Sequence, residues 1–242
     1  MRKLARRLLR LRKGEQRQTR RRSPVRRALR FILIAVAALY VLCALMLAAL
    51  RWINPPFTMV QTQRRIESFF SDKPYEKQRT FVPLAQIPLH LQRAVIAAED
   101  GRFYDHNGID WQELGKVLDE SQGRGRLRGA STITQQLVKN IFLTTHSNPL
   151  RKGLETPIVP LAELLLSKQR ILELYLNEIE WGPGVYGVEA AARYHYGVPA
   201  AQLSRNQSAR LAACIPSPLR RRPQSMDGYS SVILTRMASR GW

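Results

Sequence analysis

Residues 31–50, Phe-Ile-Leu-Ile-Ala-Val-Ala-Ala-Leu-Tyr-Val-Leu-Cys-Ala-Leu-Met-Leu-Ala-Ala-Leu, carry no charge. A run of that length matches the ~30 Å hydrocarbon core of a bilayer. Beyond it the apolar positions take up helical spacing. Leu84, Ile87, Leu91 and Val95 repeat on one face, with Pro88 suited to a first turn. They predict a buried-faced helix that ends abruptly at Glu99-Asp100. Gln112 to Leu118 reads as a second helix. Ser131 opens another, with Thr132 and Gln135 at capping-box spacing and Ile133, Leu137 and Ile141 on one face. Leu161 to Glu180 reads as one strong helix with a stripe of Leu165, Ile171, Leu172, Tyr175, Leu176 and Ile179, stopped by Gly182-Pro183-Gly184. Glu189 to Tyr196 is short and ends at Gly197. Ser204 and Gln207 give a second capping box, for a helix through Cys214 that stops at Pro216 and Pro218. Residues 229–239 suit a terminal helix. Residues 58–70 suit a short amphipathic one, with Ile66, Phe69 and Phe70 apolar. No run alternates as strands do. The fold class is mainly α.

Charge sharpens the organisation. Residues 1–30 hold fourteen Lys/Arg and the single acid Glu15, more than half of the net charge of +21. Such a tail is too charged and too poor in apolar residues to fold alone. Arg51-Trp52 follows the apolar run where a signal peptide would show a small-residue cleavage site, so a retained transmembrane helix is expected. The basic flank places the N-terminus in the cytoplasm and the rest of the chain on the other side. That separates the basic tail from the folded domain and argues against nucleic acid as a partner. The expected domains are a basic cytoplasmic tail (1–30), a transmembrane helix (31–51), a juxtamembrane connector (52–80) and a folded domain (81–242). Cys43 and Cys214 lie in different phases, so no disulfide between them is expected, and no zinc pattern occurs.

The chemistry concentrates where charge meets apolar runs. Glu99 at a helix end, beside apolar neighbours and Asp100, should have a raised pKa, which suits a general base. Residues 119–130 interleave three glycines with three arginines, a basic loop convenient for an anion. Arg151 and Glu155 share a helix face at i,i+4.

The blocks Glu-Asp-x-x-Phe-x-x-His-x-Gly (99–108), Gly-x-Ser-Thr-Ile-Thr-Gln-Gln-x-x-Lys-Asn (129–140), Arg-Lys-x-x-Glu (151–155), Lys-x-x-Ile-Leu-Glu-x-Tyr-Leu-Asn (168–177) and Leu-Ala-Ala-x-Ile-Pro-x-Pro (211–218) occur in this order. Together they resemble the five signature blocks of the peptidoglycan glycosyltransferases (glycosyltransferase family 51), over roughly residues 80–223. With no penicillin-binding domain following, the chain is similar to the monofunctional biosynthetic transglycosylases. The resemblance implies a lysozyme-like helical lobe with a smaller membrane-embedded lobe. It implies polymerisation of lipid II, with the growing glycan strand as donor, lipid II as acceptor and inversion at the anomeric carbon.

By that resemblance Glu99 is the base and Glu155 the second catalytic carboxylate. Lys139, Arg151 and, as a weaker candidate, Lys152 meet the donor phosphates. Asp100, Phe103 and His106 support Glu99, while Ser131, Thr132, Gln135, Gln136 and Asn140 shape the substrate site. No protein metal cage is expected; the resemblance adds only Mg²⁺ or another divalent cation at the diphosphate. Expected partners are the bilayer and the lipid-linked substrates, with penicillin-binding or division proteins as candidates. The expected location is the cytoplasmic (inner) membrane. Three departures stand out: Pro157 and Pro160, expected to break the helix after the third block, His195 where an aromatic is common, and Gly101-Arg102 inside the first block. A glycan-cleaving lytic enzyme and an inactive membrane scaffold are the competing readings. The cations Lys139, Arg151 and Lys152 speak against cleavage, which needs none.

Overall fold

A computed structural model describes residues 24–71, 75–121, 131–146 and 148–242 of the chain. Most of the basic tail and most of the 119–130 loop lie outside these residues. The chain divides into two compact units, 1–42 and 43–242. The first contains most of helix α1 (Pro24–Ala49), whose mean hydropathy of 2.8 over an 18-residue window and 26-residue length suit a membrane span. The helix begins before the apolar run and carries Arg26, Arg27 and Arg30 in its first turns.

The last turns of α1 belong to the second unit, where Cys43, Leu47 and Leu50 are buried. Arginines tie down the chain that follows. Arg170 Nε donates to Leu50 O at 2.7 Å, and its Nη2 to Asn54 Oδ1 at 2.8 Å. Arg79 Nη2 donates to Pro55 O at 2.7 Å and also pairs with Glu178. Helix α2 (Met59–Ser68) starts at Thr58, whose hydroxyl accepts from Gln61 N–H. It turns polar residues inward: Gln61 donates to Glu178 at 3.1 Å and Gln63 to Thr145 at 2.9 Å. Its apolar Ile66, with Phe69 and Phe70 just beyond, stays exposed.

Helix α3 (Leu89–Glu99) is shorter than the periodicity predicts. Pro88 precedes it, and Leu84–Gln86 forms a separate 3₁₀ turn. Pro88 lacks an N–H, so it suits a helix start and not an interior. Helices α4 (Trp111–Ser121) and α5 (Ile133–Phe142) follow, α5 with the predicted capping box at Thr132 and Gln135. Next come α6 (Pro149–Glu155) and α7 (Ile158–Leu165), separated at Thr156-Pro157 as the prolines require. The long helix expected over Leu161–Glu180 is in fact two. Leu166 is extended, and Ser167 caps α8 (Lys168–Glu178) by accepting from Arg170 N–H at 3.2 Å. A serine inside an apolar stripe was the overlooked stop signal.

Helix α8 is the centre of the core, with Ile171, Leu172, Leu174, Tyr175 and Leu176 wholly buried. It packs on α5, α7 and α9 (Val188–Tyr196), while α10 (Arg205–Ala212) and α11 (Asp227–Ala238) pack on α3. Three short strands escaped the sequence reading: β1 (Gln78–Arg79), β2 (Glu180–Gly182) and β3 (Val185–Tyr186), in spatial order β1-β3-β2. β1 pairs parallel and β2 antiparallel to β3. Strands this short show no alternation to read.

Candidate active site

Glu99 is the last residue of α3. Its Oε2 accepts from Gln136 Nε2 of α5 at 2.7 Å. Burial pushes the carboxyl up and Asp100 adds to the rise, while Gln136, Lys139 and Arg221 pull it down. Two of the expected causes, burial and Asp100, are therefore at work, with burial foremost. The carbonyls that end α3 are taken up by α11: Arg236 Nη1 donates to Ala97 O at 3.2 Å and Tyr229 Oη to Ala98 O at 3.3 Å. Capping by side chains from another element fixes a helix end that would otherwise fray.

Behind Glu99, Asp100 is buried and fully engaged. Its Oδ1 is 2.9 Å from His106 Nε2, and its Oδ2 accepts from Ile133 N–H at 3.0 Å. That second bond joins the end of α3 to the start of α5. His106 Nδ1 accepts from Gly108 N–H at 3.1 Å. The Thr132 hydroxyl donates to Gly108 O at 2.5 Å, and Gln135 Oε1 accepts from Thr132 N–H. Phe103 is wholly buried, with Lys168 Nζ 4.5 Å from its ring centre. Asn140 Nδ2 donates to Gln136 O at 2.8 Å, a bond within α5. Ser131 is exposed and lines a cavity of about 560 Å³ beside Glu99, together with Arg102, Lys116, Thr132 and Arg236.

A second cluster lies on α6. Glu155 is buried, and its two oxygens are 2.6 Å from Arg151 Nη1 and 2.6 Å from Lys152 Nζ. The break after Thr156 leaves Glu155 turned back along its own helix onto these cations. Lys139 joins the clusters electrostatically. Burial pushes its ammonium down, Arg151 and Lys152 add to that, and Glu155 and Glu99 pull it back up. Lys139 thus links the two clusters, interacting with Glu99 and with Arg151, Lys152 and Glu155.

Apart from Ser131 on the cavity wall and Asn140, bonded within α5, the predicted residues fall into two kinds. Glu99, Gln136, Lys139, Arg151, Lys152 and Glu155 make up the linked clusters. Asp100, Phe103, His106, Thr132 and Gln135 form the frame behind Glu99. Sequence reasoning missed Arg221, Tyr229 and Arg236, which face Glu99 or its helix end. The Arg220-Arg221-Arg222 run was the available signal for the first. Tyr175 was read only as part of a core stripe.

Metal fits poorly. Asp100, His106 and Asp110 bring ligand atoms within 4.8 Å of one another. Each already has partners within the protein. Asp110 Oδ1 accepts from Gln112 and Glu113 N–H, and its Oδ2 faces Arg102 Nε at 3.4 Å. At the cationic cluster, Glu155 has both oxygens occupied by its cations.

The site therefore points to a transferase-like class: a helical domain in which a buried, raised carboxylate and a cluster of cations suited to an anionic leaving group are linked through Lys139. A family model described as Transglycosylase matches residues 63–238, and the chain belongs to that family. It is 47% identical over 199 residues to the biosynthetic peptidoglycan transglycosylase of Pseudomonas aeruginosa, covering 82% of this chain and 84% of that protein. Identity to the proteins of that name from Pseudomonas entomophila and Ectopseudomonas mendocina is 49% and 44%. These matches cover 71% and 86% of this chain, and 72% and 84% of the relatives.

Proposed function

We propose that this chain polymerises lipid II into linear peptidoglycan strands, with Glu99 as the base and Lys139, Arg151 and Lys152 as the cations of the leaving diphosphate. The carrying observation is Glu99 at the end of α3, its Oε2 held by Gln136 Nε2 at 2.7 Å beside the cavity of about 560 Å³, in a chain of the Transglycosylase family. In the proposed step, Glu99 takes the proton of the acceptor sugar hydroxyl. The hydroxyl oxygen forms its bond to the anomeric carbon of the donor from the face opposite the diphosphate. The bond from that carbon to the diphosphate oxygen breaks with its electron pair, so configuration inverts. Negative charge then grows on the leaving oxygen, where fixed cations do the most good. Arg151 offers a planar fork and Lys139 a point charge. Glu155 keeps both α6 cations in place. No step is routed through a divalent ion, and each Glu155 oxygen already pairs with a cation.

The reading extends to location: α1 anchors the chain in the inner membrane, with its N-terminus cytoplasmic and the domain outside. The exposed Trp52, Ile53, Phe57, Phe69 and Phe70 support a domain that rests on the bilayer where a lipid-linked substrate is met. The test is polymerisation of labelled lipid II by detergent-solubilised protein, with products resolved by size. Wild type should give long strands. Glu99→Gln should bind lipid II yet lose about 10²–10⁴-fold in turnover, the usual worth of a general base. Full activity in Glu99→Gln would overturn the assignment.

A further inference from the structure

Glu99 is held by a chain of two hydrogen bonds that begins in the core. The Tyr175 hydroxyl lies 2.9 Å from Gln136 Oε1, and Gln136 Nε2 lies 2.7 Å from Glu99 Oε2. An ionised carboxylate can only accept, so Gln136 must turn its NH₂ toward Glu99. That leaves the amide oxygen for Tyr175, and the phenol must donate. Burial keeps the phenol protonated, pushing it well above its ordinary range, and Glu99 and Asp100 act in the same sense. The chain therefore has one self-consistent direction. The backbone of Gln136 is fixed as well: its N–H donates to Thr132 O at 3.0 Å, and its carbonyl accepts from Asn140. Among the described residues no other hydrogen bond reaches the Glu99 carboxylate.

We propose that Tyr175 is a positioning residue whose phenol locks the Gln136 amide, so that Glu99 Oε2 stays occupied and Oε1 is the oxygen that takes the acceptor's proton. This rests on the reading of Glu99 as the base. Without the lock, the Gln136 amide can turn its oxygen to Glu99. A carbonyl facing a carboxylate favours the protonated acid, which is useless as a base. A fully buried tyrosine hydroxyl on the core face of α8 otherwise has no reason to displace phenylalanine, since burial of the hydroxyl without a partner is costly.

The groups facing Glu99 are Asp100 next to it, Gln136 and Lys139 of α5, Arg221 from the turn after α10, Tyr175 of α8 and Tyr229 of α11. Of these, Tyr175 acts through Gln136, which sets up a double-mutant test. The acid limb of kcat/KM against pH for lipid II polymerisation would be measured for wild type, Tyr175→Phe, Gln136→Met, the double variant and Glu99→Gln. Tyr175→Phe is expected to move the limb up by about one pH unit, the scale of a hydrogen bond to a charged group. Gln136→Met should move it the same way, and the double variant no further than Gln136→Met alone. An acid limb at the wild-type position in folded Tyr175→Phe overturns the proposal, whatever happens to thermal stability, and so does an additive shift in the double variant. If Tyr175→Phe does not fold, a wild-type limb in Gln136→Met overturns it instead. Wild-type polymerisation by Glu99→Gln would remove the base reading itself, an outcome independent of Tyr175.

Discussion

Glu155→Gln separates what a buried carboxylate does for its cations from what it does for the fold. The wild-type oxygens each hold one cation at 2.6 Å. An isosteric amide keeps one acceptor and turns an NH₂ group toward the other cation. Lys152, with 44% of its side chain exposed, can rehydrate; Arg151, with 15%, cannot. Even with the amide oxygen turned to it, Arg151 loses the carboxylate charge that offsets its burial, so the cost falls there. A stranded buried partner is worth about 3 kcal/mol, which lowers Tm by ~6–12 °C in a domain of this size. The electrostatic consequence is separate. Glu155 is the foremost group holding the Lys139 proton against burial and against Arg151 and Lys152. Without it, Lys139 loses its proton at lower pH, and the cation that should meet the diphosphate is neutral sooner. The alkaline limb of polymerisation should fall by about one pH unit, and misplacement of Arg151 should cost about 10²-fold in turnover near neutrality. The assay is lipid II polymerisation followed across the neutral to alkaline range, with thermal unfolding in the same detergent. An alkaline limb unmoved in folded Glu155→Gln would refute the coupling of Glu155 to Lys139.

Two further outcomes test the frame. Glu99→Gln should be more stable than wild type at neutral pH by ~2–4 °C, the usual gain when a strained functional group is neutralised. Because burial raises the folded carboxyl above its unfolded value, the wild type has full stability only at pH below the unfolded value. It loses part of that as pH rises through the folded value, so the gap between the two proteins should close on acidification. Gly108→Ala should cost about 2 kcal/mol in denaturant unfolding, because Gly108 has φ of +88° and a Cβ there would sit 2.5 Å from Val159 Cγ1.

The helical class, both capping boxes and the proline break after Thr156 were legible because each is a local signal with a local cause. The break at Leu166-Ser167 was not, because an apolar stripe on both sides of a serine looks continuous until the cap forms. The start of α3 is misplaced for a related reason: Leu84 and Ile87 keep helical spacing although Leu84 opens a 3₁₀ turn and the buried Ile87 follows it in an extended conformation. Glu99 with Lys139, and Arg151 with Glu155, could be named from motif and spacing. Tyr229 and Arg236 could not, since their relation to Glu99 exists only once α11 packs against the end of α3, and the Arg220-Arg221-Arg222 run does not tell which arginine faces Glu99.

The order of the blocks along the chain makes sense as a set of partners. Asp100 of the first block holds Ile133 N–H of the second, and Gln136 of the second holds Glu99 of the first. Tyr175 of the fourth block holds Gln136, while Lys168 of the fourth lies over Phe103 of the first and pairs with Glu163 at 2.9 Å, which in turn accepts from Thr134 of the second. Asn177 closes the frame by bonding both the N–H and the C=O of Val82, upstream of α3. Each of these groups is short of a partner unless another block is present, and an unpaired buried polar group costs about 1–3 kcal/mol. The first, second and fourth blocks therefore stand or fall together, and what they jointly hold still is one carboxylate at the end of a helix.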